Sequence, residues 1–261
     1  MLGLHSPLLD AVRALRTKAG RRERQAFAIE GPTMLAEALR SGVRPESVYA
    51  TRTALDASSA IVDRLDAGVP LYVVPERGMS RLSELETAPG LLAVVPMQDF
   101  RLEAVLAGGG PVLLLAGVGD PGNAGTLLRS AEIFGFSGVL FGGEAVEPYN
   151  PKVVRASMGA IFRLPVVEAS AEAIAAAAAQ AGYELVATGE GGEPLSEFRF
   201  RRRSIVGVGN ERRGVRGWLP AWDRTVTIPQ RGPGESLNAA VAGSIVAYVV
   251  SSQLERAAES S

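Results

Sequence analysis

The apolar positions of the chain follow two spacings that alternate along its length. Short apolar runs bounded by Gly, Pro or Asn predict strands, and apolar residues three and four positions apart predict helices. Within the first 97 residues, the strands are predicted at 27–30, 48–51, 71–74 and 90–95, and the helices at 7–19, 33–40 and 56–67. This alternation indicates a small sheet covered by helices.

The same alternation continues after a glycine-rich joint. Strands are predicted at 112–116, 138–141, 164–167, 183–188, 204–208 and 225–228, with helices at 123–134, 151–160 and 170–181. The strand at 112–116 is apolar throughout, and strands that alternate with helices and are buried on both faces are typical of a parallel sheet. We therefore expect an α/β protein with a small N-terminal domain at 1–97, a linker at 98–110 and a parallel-sheet domain at 111–261.

A last helix is predicted after a Gly/Pro loop at 229–234. Ser236 stands where an N-cap residue is expected. Apolar residues at helical spacing then predict a helix that packs into a core: Ala239, Ala242, Ile245, Val246 and Val249. The stretch is either an ordinary strand-to-helix connection or a loop that holds a small polar ligand.

Composition removes several kinds of chemistry. The chain has no cysteine and one histidine, His5, so thiolate nucleophiles, disulfides and His- or Cys-ligated metals are not expected. No window reaches the roughly 18 apolar residues of a membrane span, and the first residues lack a signal-peptide pattern. We expect a cytoplasmic protein without a metal.

The net charge is only −1, yet basic residues crowd one short segment against a single acid, Glu23. They are Arg13, Arg16, Lys18, Arg21, Arg22 and Arg24. Such a run is either a solvated face or a surface that meets phosphates.

The segment 117–122 reads GVGDPG and matches the glycine fingerprint of dinucleotide-binding proteins. Pro121 stiffens a loop that should offer free N–H groups to a pyrophosphate. The acid expected about 20 residues further on has only Glu144 as a candidate. A nicotinamide-dependent oxidoreductase is therefore the remote alternative.

Three segments taken together carry more information than this fingerprint. They are DPGNAGTLLR at 120–129, IVGVGNERRG at 205–214 and IPQRGPGESLN at 228–238. In their order and spacing they resemble the three motifs of the SpoU/TrmH family of RNA ribose 2′-O-methyltransferases, and 151–165 is similar to the family's middle segment. One departure is that Ala239 and Ala240 follow the S-L-N triplet where a small polar residue is usual.

The resemblance implies a parallel sheet with a deep trefoil knot at its C-terminal end, a homodimer, and S-adenosylmethionine bound in the knot. Backbone groups near Thr188, Gly209, Ile228 and Leu237 would hold the cofactor. The N-terminal part, with its Arg-rich helix and FAIEG at 27–31, resembles the L30e-like RNA-binding domain of one branch of the family.

The resemblance also implies roles for particular residues. Arg129 would act on the ribose 2′-hydroxyl, and because arginine is a poor base we expect it to clamp the RNA while a phosphate accepts the proton. The groups that would position the reactants and hold Arg129 are Asn123, Glu211, Ser236 and Asn238. The missing cysteine disfavours pyrimidine C5-methyltransferases, which need a thiolate.

The expected substrate is 23S ribosomal RNA, bound by Arg21, Arg22 and Arg24. A tRNA substrate is the nearest alternative. A catalytically idle RNA-binding protein with this fold is a third possibility, which the complete set of motif residues disfavours.

Overall fold

The computed structural model describes residues 2–3, 6–210, 214–215, 217–233 and 236–259. The helices before residue 99 are α1 (Pro7–Ala14), α2 (Lys18–Arg24), α3 (Pro32–Arg40), α4 (Arg52–Ala57), α5 (Ser59–Val62) and α6 (Glu76–Leu82). The strands of that part are β1 (Ala26–Glu30), β2 (Ser47–Ala50), β3 (Leu71–Val73) and β4 (Leu91–Pro96).

The later helices are α7 (Leu102–Ala107), α8 (Pro121–Ile133), α9 (Pro151–Ala156), α10 (Ala171–Ala181) and α11 (Ala239–Glu259), with a 3₁₀ turn at Ala160–Phe162. The later strands are β5 (Val112–Ala116), β6 (Gly138–Gly142), β7 (Val166–Ala169), β8 (Glu184–Pro194), β9 (Ser204–Gly209) and β10 (Arg224–Thr227). No described helix combines the length and apolar character needed to cross a bilayer.

The chain forms two compact units, and the first one is discontinuous. Unit 1 consists of Met1–Gln98 and Tyr149–Phe162, and unit 2 of Asp99–Pro148 and Arg163–Ser261. Within unit 1, the rings of Tyr149 and Phe162 lie 4.8 and 6.3 Å from the ring of Phe27. The Tyr149 hydroxyl also donates to the Gln98 carbonyl at 3.0 Å.

This division corrects two predicted boundaries. The stretch 98–110 is not a free linker, because α7 buries Leu102, Val105 and Leu106 in the core of unit 2. The stretch 149–162, predicted within the C-terminal domain, lies with unit 1 because its aromatic side chains complete that unit's core.

Unit 1 is built on a sheet of strand order β1-β4-β2-β3, in which β4 runs antiparallel to β1 and β2. The single helix predicted at 7–19 is divided into α1 and α2. The Thr17 hydroxyl accepts from Gly20 N at 3.1 Å and starts a new helix there. That helix ends at Gln25, which adopts a left-handed conformation.

Unit 2 confirms the predicted parallel sheet, with strand order β10-β8-β9-β5-β6-β7. One face is covered by α8 and α11, and the other by α7, α10 and the side chains of Val215, Trp218, Leu219 and Trp222. In β9, Val208 faces α11, while Gly207 faces Trp222 and Gly209 faces Gly214 and Val215, as the alternation of a strand requires.

Helix α11 begins later than its sequence pattern predicts. Its cap is Asn238, whose Oδ1 accepts from the backbone N–H groups of Ala240 and Val241 at 2.9 and 3.2 Å. The expected cap, Ser236, lies two residues upstream of this point in a non-helical segment. An Asn side chain competes well for this position because its short amide reaches the first free N–H groups.

Candidate active site

The three segments singled out in the sequence meet at the carboxyl ends of parallel strands in unit 2. They follow β5, β9 and β10, and ligand sites of such sheets lie at this edge. The Asn210 side chain, after β9, donates from Nδ2 to Gly117 O at 3.4 Å. The Asn238 side chain donates from Nδ2 to Asn123 Oδ1 at 2.9 Å. Side chains therefore join the third segment to the first, and the second segment to Gly117 in the loop between β5 and the first segment.

The glycine fingerprint at 117–122 serves a different purpose from the one its pattern suggests. Asp120 is the N-cap of α8, and its Oδ1 accepts from Asn123 N at 2.7 Å. Pro121 is the first residue of the helix. The loop thus starts a helix and places Asn123 on its first turn, and Pro121 offers no N–H group for a phosphate.

Arg129 lies on the same helix, six residues after Asn123, with an exposed side chain. Within the described part of the chain, its guanidinium makes no hydrogen bond or ion pair. The next residue, Ser130, shares a hydrogen bond with Ser244 of α11, with 2.7 Å between the two Oγ atoms. The helix that carries Arg129 is therefore tied to α11 by this bond and to the α11 cap, Asn238, by Asn123, while the guanidinium remains available to a ligand.

A cavity of about 380 Å³ opens beside these segments, within the usual range for small-molecule sites. It is lined by Ala187, Thr188, Gly189, Glu190, Gly214, Val215, Thr225, Val226, Thr227, Ile228, Gln230, Ser236, Leu237 and Ala242. Three of the four residues predicted to hold the cofactor, Thr188, Ile228 and Leu237, are among them, together with Ser236.

Gly209, the fourth, does not line the cavity. A Cβ on Gly209 would lie 2.5 Å from Val215 N, so the glycine lets the segment that begins at Gly214 approach β9 closely. Gly209 supports one wall of the cavity. Glu211, also predicted for the site, lies outside the described residues, as does His5.

Several lining residues were missed from the sequence: Glu190, Val215, Thr225, Thr227 and Gln230. A positional signal exists for most of them, because they lie on or just after β8 and β10, at the sheet edge where ligands bind. Thr188 is oriented by its own hydrogen bond, which its Oγ1 donates to Gly207 O at 2.8 Å.

The lining combines two kinds of surface. Apolar side chains such as Val226, Ile228 and Leu237 suit a flat heterocycle, while threonine hydroxyls, Gln230 and the Glu190 carboxylate suit a polar or cationic group. A nucleoside that carries a charged side chain fits this donor set. Among the described residues, no group of three or more His, Cys, Asp or Glu side chains is placed to hold a metal ion.

The three arginines predicted to bind RNA differ in their surroundings. Arg21 is 3% exposed, and its guanidinium donates to Leu15 O at 2.8 Å. This burial contradicts its predicted contact with phosphates and gives it a structural role. Arg24 is exposed and forms an ion pair with Glu46 at 3.2 Å, and Arg22 is exposed.

Comparison with known proteins agrees with this geometry. Residues 110–248 match the SpoU rRNA Methylase family, and residues 7–93 match the MRM3-like substrate binding domain. The 23S rRNA (guanosine(2553)-2′-O)-methyltransferase RlmP of Bacillus subtilis is 32% identical over 237 residues, which cover 90% of this chain and 92% of RlmP.

Solved structures agree as well. The SpoU methyltransferase AviRb from Streptomyces viridochromogenes, in complex with the cofactor S-adenosylmethionine (AdoMet), superposes with a TM-score of 0.83 at 26% identity, covering 96% of this chain and 99% of AviRb. An AdoMet-bound rRNA methyltransferase from Sinorhizobium meliloti gives a TM-score of 0.81 at 26% identity, with 97% of each chain covered.

The sheet, the joined segments and the cavity define an α/β protein with a ligand site at the carboxyl edge of a parallel sheet. The chain belongs to the SpoU rRNA methylase family, which confirms the resemblance seen in the sequence.

Proposed function

We propose that this protein is an AdoMet-dependent RNA ribose 2′-O-methyltransferase that acts on 23S ribosomal RNA. The observation that carries the proposal is that Thr188, Ile228 and Leu237 line one cavity. Leu237 directly precedes Asn238, whose side chain is hydrogen-bonded to Asn123. The AdoMet-bound relatives and the 23S rRNA activity of RlmP support it. The deep trefoil knot is part of the same proposal.

The residues of the cavity fit AdoMet. The apolar wall would hold the adenine, and the threonines, Gln230 and Glu190 would meet its polar and cationic parts. When bound, AdoMet supplies the methyl group: the ribose 2′-oxygen bonds to the methyl carbon while the carbon–sulfur bond breaks and S-adenosylhomocysteine leaves.

The chain itself must orient the ribose and manage the proton of its 2′-hydroxyl. Because arginine is a poor base, Arg129 acts as a clamp on the RNA, and an RNA phosphate takes the proton. The Asn123–Asn238 hydrogen bond holds the start of α8 against the loop that carries Ser236 and Leu237. Glu211 completes this set in the proposal.

Unit 1 would supply affinity for the RNA. Its match to a substrate-binding domain supports this role, and Arg22 and Arg24 are exposed on α2. Contacts of this kind to phosphates raise affinity without reading sequence. The nucleotide that is methylated is therefore selected by contacts other than these two arginines.

We also propose that the protein works as a homodimer through an apolar stripe on α11. Val241, Ile245 and Tyr248 share one face of the helix and are 48%, 37% and 57% exposed. Tyr248 packs edge-on against Phe134, next to Ile133, which is 64% exposed. Exposed apolar side chains that share one face mark a site of protein contact, and in a two-fold homodimer the same patch of each copy would meet the other.

The cytoplasm, where ribosomal RNA is made in bacteria, is the proposed location. Subcellular fractionation with an antibody against the chain would check it.

Two measurements test the proposed function. Equilibrium binding of labelled AdoMet and of NAD to the purified protein should show binding of AdoMet alone. Ribose methylation is then mapped on 23S rRNA and tRNA from cells with and without the protein. Loss of one 23S rRNA methylation supports the proposal, and loss from tRNA alone contradicts the substrate. Absence of AdoMet binding contradicts the enzyme class.

A further inference from the structure

One wall of the cavity is formed by a segment without regular structure. Gly214 and Val215 line the cavity, and the chain continues through Trp218 and Leu219 to Trp222 before β10 begins. The backbone of this segment is held at its start by the hydrogen bond from Gly214 N to Asn210 O at 2.8 Å. Beyond that point, side chains that contact the sheet contribute to its position.

Trp222 provides two of these contacts. Its indole Nε1 donates to Val215 O at 3.2 Å. Its ring lies over β9 where Gly207 leaves space, and a Cβ on Gly207 would lie 2.7 Å from Cζ3 of the indole. The same carbonyl of Val215 also accepts from Trp218 N at 3.1 Å.

Gly207 also contacts Thr188, a second residue that lines the cavity. The Gly207 carbonyl accepts the hydroxyl of Thr188 at 2.8 Å. Trp222 thus links two residues that line the cavity. It donates to the Val215 carbonyl and packs on Gly207, whose carbonyl orients Thr188. Val215 lines the cavity and is closely packed, with only 1% of its surface exposed. A shift of its backbone would therefore change the shape of the cavity.

We propose that Trp222 is a positioning residue for the cofactor, fixing the Val215 wall of the cavity relative to Thr188. The inference rests on the proposed function, because it takes AdoMet as the occupant of the cavity. It concerns affinity for the cofactor, since Trp222 does not line the cavity and would not touch the reacting atoms.

The chain offers a matched control in its only other tryptophan. Trp218 packs over Gly142 in the same manner, where a Cβ would lie 2.8 Å from Cε2 of the ring. Its Nε1 donates to Gly143 O at 3.0 Å. Neither Gly142 nor Gly143 lines the cavity. The two tryptophans therefore make similar contacts, but only the loss of the Trp222 contacts is expected to weaken AdoMet binding.

The test compares Trp222→Phe with Trp218→Phe. Each variant keeps an aromatic ring and loses one indole hydrogen bond. Calorimetry should show an AdoMet Kd about tenfold higher for Trp222→Phe, the upper range for one hydrogen bond, and a change below about twofold for Trp218→Phe. The KM for AdoMet should rise in parallel for Trp222→Phe, with kcat at saturating AdoMet lowered less than about threefold.

Thermal unfolding without ligand separates positioning from a general loss of structure. If Trp222→Phe lowers the Tm as Trp218→Phe does but binds AdoMet with unchanged Kd, Trp222 is only structural and the proposal is overturned. Failure of the unaltered protein to bind AdoMet would instead contradict the proposed function. The two failures are therefore distinguishable.

A second measurement leaves Trp222 in place. In the Trp218→Phe variant Trp222 is the only tryptophan, and its fluorescence should change on addition of AdoMet with the Kd found by calorimetry. In Trp222→Phe, the remaining Trp218 should respond little. Fluorescence of Trp222 that stays unchanged through saturation with AdoMet would count against the proposed coupling.

Discussion

The side chains of Asn123 and Asn238, 115 residues apart in the chain, are joined by a hydrogen bond of 2.9 Å. Asn238 uses both ends of its amide: Nδ2 donates to Asn123, while Oδ1 caps α11 by accepting from Ala240 N and Val241 N. One residue therefore starts a helix and holds the two loops of the candidate site together.

These two functions of Asn238 can be separated by substitution. Asn238→Ala removes both, so we expect stability to fall by about 1 kcal/mol and methyl transfer to fall at least about tenfold. Asn238→Asp keeps a capping oxygen but loses the donor to Asn123. It should unfold in urea like the unaltered protein and still lose activity. Normal activity in Asn238→Asp would show that the cap alone matters.

Arg129 is expected to be needed for turnover but not for the fold or the cofactor. Its side chain is exposed, so Arg129→Ala should leave the Tm and the AdoMet Kd nearly unchanged. Methyl transfer to 23S rRNA should fall by about 100-fold or more, the range for loss of a positioned charge at a reacting centre. Arg202→Ala, another exposed arginine of unit 2, serves as the control. Near-normal turnover of Arg129→Ala would remove it from the catalytic set.

The apolar stripe on α11 predicts the effect of a charge at its first position. Val241→Asp places a carboxylate in the first turn of the helix, where the dipole favours it, so folding should be retained. Light scattering should then show monomers where the unaltered protein forms dimers. Ala176→Asp on the exposed face of α10 is the matched substitution and should remain dimeric. An unaltered protein that is monomeric at micromolar concentration would contradict the interface.

Arg21 and Arg22 are neighbours in sequence with opposite expected effects. Arg21→Ala leaves Leu15 O without its donor in a buried place, so stability should fall by about 2 kcal/mol. Arg22→Ala should change stability by less than about 0.5 kcal/mol. It should instead weaken RNA binding and reduce the salt slope of the binding constant by about one. An unchanged salt dependence of RNA binding would show that the exposed arginines of this segment form an ordinary solvated face.

Tyr183 predicts how unit 2 responds to alkaline pH. Burial raises the pKa of its hydroxyl, which donates to Leu106 O and Gly110 O at 3.0 and 2.9 Å. In the unfolded chain a tyrosine titrates near about 10. Ionisation therefore favours the unfolded state, and the stability present below that pH is lost as the pH rises through and beyond it.

Urea unfolding between pH 8 and 11 measures this effect. Tyr183→Phe should be less stable at pH 8, because the two hydrogen bonds are lost, but its stability should fall less steeply above pH 10. Burial also raises the pKa of Tyr49, so part of the slope should persist. Parallel curves for Tyr183→Phe and the unaltered protein would contradict the prediction.

The alternation of apolar runs predicted the parallel sheet well, because strands buried on both faces, such as β5 and β9, leave a strong pattern. Where local hydrogen bonds decide, the pattern was insufficient. The division of α1 from α2 depends on the Thr17 hydroxyl, and the start of α11 on the Asn238 amide. In both places a side chain forms a hydrogen bond with the nearby backbone, and the spacing of apolar residues does not predict such bonds.

The candidate site was predicted in part for a similar reason. Asn123, Ser236 and Asn238 lie in motifs that could be recognised together, and the structure brings those motifs to one edge of the sheet. The contribution of Trp222 was not predictable. It depends on the space above Gly207, and this contact appears only once the chain has folded back over the sheet.

The segment Tyr149–Phe162 belongs to unit 1 although residues Asp99–Pro148 of unit 2 precede it in the chain. During synthesis, Phe27 therefore lacks its aromatic neighbours until residue 162 has left the ribosome. A fragment that stops after β4 would expose this part of its core. Unit 1 is consequently not a module that can be cut out at one point or exchanged between relatives by a single crossover.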